Sequence, residues 1–106
     1  MAWFYLLLAA VCEVGWPVGM KMAVPGAVGR WWWILFAVLT MALSGVFLYL
    51  AQRQIPIGTA YAIWTGVGAA CTFGIGVWFF GDSASMLRLL GVVLIVGGAI
   101  VLKVAG

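Results

Sequence analysis

Glu13 is the one acid placed inside a long apolar stretch of this chain, near the middle of a run from about Trp3 to Met22. A charge at the centre of a bilayer costs about 2.5–3.5 kcal/mol on insertion scales, so an intramembrane carboxylate reads first as a functional group. A protonated acid serving only as an interhelical hydrogen bond is the plainer alternative, yet glutamine would fill that role without the penalty. No Lys or Arg lies deep in the apolar stretches to pair with Glu13, so its partner is expected from outside. Burial disfavours the ionised form, whereas a cation alongside favours it. Proton and cation then compete for one carboxylate, which is the minimum machinery of an antiporter.

Helical spacing supplies the neighbours. Trp16 and Pro17 follow Glu13 by three and four residues and share its face, with Met20 beyond them. An indole N–H beside a carboxylate can donate to it and fix its orientation. Pro17 removes one helix hydrogen bond and is expected to bend the helix just after the acid. Thr40 and Ser44 share a face in the second stretch. Ser44 is expected to donate either to the carboxylate or back to its own helix. In the third stretch Tyr61, Trp64 and Gly68 lie together, and Gly66, Gly68, Gly74 and Gly76 crowd the same helix, permitting close packing or bending. In the fourth, Gly91 and Gly98 stand seven apart beside Leu94 and Ile95, the pattern of a helix–helix seam.

The elements that must position these residues follow from composition. Of 106 residues, 68% are hydrophobic and 7% charged, with a mean hydropathy of +1.29. Such a chain cannot clothe itself in a soluble surface, which excludes a soluble enzyme, a nucleic-acid binder and a disordered tail. No phosphate loop is present. Cys12 and Cys71 lie far apart in apolar runs with no histidine anywhere, so no metal site is expected and both read as small buried hydrophobes. The first apolar stretch follows only Met1 and Ala2 and contains Glu13, unlike a cleavable signal peptide.

One spanning helix needs about 20 apolar residues, and turn residues mark four such stretches at about 3–22, 31–51, 57–80 and 86–103. Residues 1–106 are thus read as one all-α, four-helix transmembrane domain. The stretches are too long and too uniformly apolar for barrel strands. Trp31, Trp32 and Trp33 beside Arg30, together with Trp3 and Trp78, read as interfacial anchors. The cations divide evenly: Lys21, Arg30 and Arg88 fall on one side, and Arg53, Lys103 and the terminal amine on the other. The positive-inside rule therefore cannot orient the chain. Four spans hold no inverted repeat, but two copies inserted in opposite senses would create one.

The run Pro56-Ile57-Gly58-Thr59-Ala60-Tyr61-Ala62-Ile63-Trp64-Thr65-Gly66-Val67-Gly68, with the lone Glu13 and four spans, resembles the small multidrug resistance transporter family along the whole chain. The stretch from Glu13 to Lys21, with Trp16 three residues after the acid, is similar to the guanidinium-exporter subtype. Two features depart from the family pattern: Pro17, where alanine is more usual, and a first loop longer than is common. The resemblance implies an antiparallel, dual-topology dimer in the bacterial cytoplasmic membrane, either a homodimer or a pair with a homologous subunit. It implies exchange of protons for guanidinium-type cations, driven by the proton motive force with no cofactor and no enzymatic step. By the same likeness Glu13 is the shared proton and substrate group, Trp16 and Ser44 belong to its hydrogen-bond network, and Tyr61 and Trp64 line the site. The seam at Gly91, Leu94, Ile95 and Gly98 corresponds to the family's dimerisation helix. A broad exporter of quaternary ammonium or aromatic cations is the alternative within transport, against which Trp16 argues. A non-transporting membrane scaffold would leave Glu13 unexplained.

Overall fold

In a computed structural model, residues 1–105 are described and form four helices: α1 Ala2–Met22, α2 Arg30–Ala51, α3 Ile57–Phe79 and α4 Met86–Ala105. Their ends fall within two residues of those marked by hydropathy and turn residues. All four are long and apolar enough to cross a membrane. A spanning helix satisfies every internal backbone group, which is the reason such apolar runs take this form. Punctuation sits where the sequence supplies it. Gly29 precedes α2 with φ 74° and Gly81 follows α3 with φ 72°, left-handed conformations that a side chain resists. Pro56, lacking an N–H, stands immediately before α3.

The helices alternate in direction. Lys21, at the end of α1, lies over the ring of Phe80 beyond the end of α3, and Lys103, near the end of α4, lies over Trp3 at the start of α1. The densest packing is at one end of the molecule. There Ala2 and Leu6 of α1, Ala51 of α2, Ile55 of the following turn and Ala60 of α3 form a buried cluster, flanked by Tyr5, Leu48, Ile63 and Trp64. Farther along, α1 and α2 stay close because glycines of α1 face side chains of α2. A methyl on Gly15 would meet Thr40 at 2.6 Å, and one on Gly19 would meet Ala37 at 3.0 Å.

Helix α1 packs on α2 and α3, whereas α4 packs on α3 and reaches α1 through Lys103 over Trp3. Ala99 is the one buried residue of α4 among the described residues. Its seat is Gly66, whose absent side chain leaves room for Ile95 and Ala99. The molecule measures 47 × 34 × 16 Å. Its smallest dimension is about one and a half helix diameters, so one copy is a plate rather than a closed bundle.

One expectation changes here. Cys71 is exposed, because it lies on the side of α3 that no other helix of the chain covers, while Cys12 is only half-buried. The residues expected to permit bending lie inside helices, Pro17 in α1 and Gly66 and Gly68 in α3, with Gly66 facing Ile95 of α4 and Gly68 facing Glu13 of α1. Of the tryptophans read as anchors, Trp3, Trp31, Trp32 and Trp78 are exposed, with the Arg30 guanidinium 5.2 Å over the Trp31 ring, whereas Trp33 is half-buried and meets Phe36 edge-on.

Candidate carboxylate site

Glu13 is half-buried on α1 where that helix faces α3. The Trp16 indole N–H, one turn later on the same face, donates to Glu13 Oε1. The i, i+3 relation read from the sequence thus becomes a hydrogen bond that occupies one carboxylate oxygen and fixes the side chain. Opposite, α3 presents Gly68. A methyl there would stand 2.9 Å from Glu13 Cγ and 3.3 Å from its Cβ. The glycine is therefore the seat of the acid.

Ser44 is buried, and its hydroxyl donates to the Ala9 carbonyl oxygen of α1 at 2.7 Å. It also accepts from the Trp64 indole N–H of α3 at 2.8 Å. This corrects both sequence expectations, for the hydroxyl bonds neither to the carboxylate nor to its own helix. The cause is local: Ala9 is fully buried and its methyl is too small to keep the hydroxyl from the α1 backbone. Ala9 is the residue whose carbonyl the Glu13 amide meets in a regular helix. Ser44 thereby ties three helices together one turn before the acid. Thr40, by contrast, bonds back to Phe36 and Ala37 of its own helix.

An open cavity of about 480 Å³ leads away from Glu13. Trp16, Pro17, Thr65, Gly68, Thr72 and Phe73 contribute to its wall, and Asp82 stands at its far end. Tyr61 and Trp64 are not on that wall. Trp64 is held by Ser44, and Tyr61 is exposed with its ring 5.2 Å from that of Trp64. On α4, Gly91 and Gly98 face open space and Leu94 is exposed. The Ile95 methyl turns partly inward, 3.3 Å from where a Gly66 side chain would begin.

Asp82 escaped the sequence reading, in which Gly81-Asp82-Ser83 served only to close the third stretch. Its backbone N–H bonds the Gly76 carbonyl at 3.0 Å, folding the turn back over the end of α3. Its carboxylate lies over Gly76, where a methyl would meet Oδ2 at 2.5 Å. The available signal was arithmetic, since Asp82 is the second of only two acids and follows a helix carrying Gly74 and Gly76. A narrow cleft of about 140 Å³ on the other side of Asp82 is shared with Lys21 and Pro17.

Four helices long and apolar enough to span a membrane, the first carrying a half-buried acid, define a multi-pass membrane protein. The profile of the Small Multidrug Resistance protein family matches residues 1–95, and the chain belongs to that family. It is 40% identical over 105 residues to a protein of Yersinia pseudotuberculosis serotype I (strain IP32953) named "Guanidinium exporter", covering 99% of each chain. It is 41% identical to one of the same name from Salmonella typhimurium (strain LT2), over 99% of this chain and 98% of the other. A third, from Citrobacter freundii, shares 40% identity over the same spans.

Proposed function

We propose that this protein exports guanidinium and small substituted guanidinium cations in exchange for protons, with both ligands using Glu13. The observation that carries this reading is the Trp16 indole bonded to Glu13 Oε1, with both residues in the wall of one open cavity. Guanidinium is planar, permanently charged and presents forked donors that suit a carboxylate. The names of relatives at 40–41% identity over nearly the whole chain support the same substrate class. A proton arriving at Glu13 abolishes the attraction that holds the cation, so one side of the membrane loads what the other releases.

The working unit is an antiparallel pair in the bacterial cytoplasmic membrane. The plate-like shape, the bare flank of α4 and the even split of cations all favour a second, inverted copy. Proteoliposome exchange with the purified chain, comparing guanidinium with tetraalkylammonium ions, tests the reading. Proton-coupled guanidinium exchange is expected from this chain alone. Preference for tetraalkylammonium would replace it with a broad cation exporter, and activity only with a homologous subunit would replace the homodimer.

A further inference from the structure

Pro17 changes what Glu13 can offer. In a regular α-helix the N–H of residue i bonds the carbonyl of residue i−4, so the partner of the Glu13 carbonyl oxygen would be the N–H of residue 17. Proline has none. Among the described residues, no side-chain donor replaces it. The Trp16 indole goes to the Glu13 carboxylate, Ser44 to Ala9, Thr40 to Phe36 and Ala37, and Thr65 to Tyr61 and Ala62. The main-chain oxygen of the one intramembrane acid thus lacks its regular helix donor. Pro17 itself forms part of the cavity wall between Glu13 and Thr72. An acceptor without a donor in a membrane interior is costly, and such groups are tolerated where they line a cavity that brings a donor or water.

We propose that the Glu13 backbone carbonyl, freed by Pro17, is a second acceptor for the bound cation, so that guanidinium is held by the carboxylate and main-chain oxygens of a single residue. The proposal rests on the guanidinium reading above and refines it. A guanidinium fork has donors for two acceptors at once, and Trp16 already occupies one carboxylate oxygen. A tetraalkylammonium ion has no N–H and gains nothing from the carbonyl. Pro17 therefore acts as a specificity residue through the oxygen it leaves unbonded.

Glu13 is the only glutamate in the chain. Cell-free synthesis with glutamate carrying ¹³C at its main-chain carbonyl, with conversion to glutamine blocked, labels that one position. In proteoliposomes the labelled carbonyl is expected to show the infrared frequency of a group outside the helix ladder and to fall in frequency when guanidinium chloride is added. In Pro17→Ala it is expected at the ordinary helical frequency, unmoved by the ligand. The same variant should bind guanidinium about tenfold more weakly, the loss of one hydrogen bond to a charged donor, while tetraethylammonium binding stays unchanged. An equal loss for both cations, or a wild-type carbonyl that ignores guanidinium while the protein binds it, overturns the proposal and leaves the transport reading standing. A wild-type protein that binds tetraethylammonium and not guanidinium overturns both.

Discussion

Gly68 and Glu13 face each other so closely that a single added methyl would sit 2.9 Å from the Glu13 Cγ. The acid keeps its place because α3 has no side chain there. Gly68→Ala must therefore push Glu13 or separate α1 from α3, at about 1–3 kcal/mol for overpacking. Guanidinium affinity and thermal stability in detergent should both fall. Gly74→Ala, on the same helix with open space before it, is the control and should leave affinity unchanged and stability unchanged or slightly raised.

Glu13→Gln should abolish proton-coupled exchange while preserving the fold. Glutamine keeps nearly the same shape and can still accept from Trp16, but it neither releases a proton nor neutralises a cation. Unchanged circular dichroism and elution volume with no guanidinium exchange is the expected pair of results. Retained coupled exchange would remove Glu13 from the mechanism.

Guanidinium affinity should weaken as pH falls. Protonation makes Glu13 neutral, so acid pH removes the charge the cation requires, and high pH restores it. Where the protonated form predominates, the loss approaches about tenfold per pH unit for one proton displacing one cation. Titration calorimetry from about pH 9 down to about pH 3, a range that includes the ordinary glutamate region, checks this. A flat affinity would show that the two ligands do not share the carboxylate.

Ser44→Ala should act on stability more than on the charge of the site. It strips the Trp64 indole N–H of its acceptor and unties α2 from the Ala9 carbonyl. Loss of a buried partner typically costs about 1–3 kcal/mol. A lower melting temperature is expected, with guanidinium exchange retained at low temperature. An unchanged melting temperature would mean that the three-helix tie contributes nothing.

Orientation gives the last prediction. Added arginines beside Arg30 should lock one topology, and arginines beside Lys103 the opposite one. Each locked variant should be inactive alone, and co-expression should restore transport. Full activity from either alone would exclude the antiparallel pair.

The spans were legible because hydropathy and turn residues act locally: Pro56 and Gly81 mark boundaries whatever the helices later meet. The Glu13–Trp16 bond was legible for the same reason, since both groups ride on one helix. The partner of Ser44 was not, because helical periodicity gives the face of a residue but not the rotation of the helix that faces it. Gly68 was visible as a small residue, though whether it seats an acid or bends a helix depends on which side α1 lies. Asp82 was hidden by a turn that folds back through Gly76, and no spacing rule brings a loop residue into a helix cavity.

The bare flank of α4 makes lipid a competitor. An acyl chain can lie against Leu94 and along the groove between α3 and α4 in a solitary copy, so pairing means displacing solvent in two dimensions. If transport requires the proposed antiparallel pair, the population able to transport depends on how crowded the membrane is, by mass action. In sparsely reconstituted vesicles, export per molecule should decline on dilution with lipid and reach a plateau once copies meet readily. On that reading, export responds to the protein's own expression level.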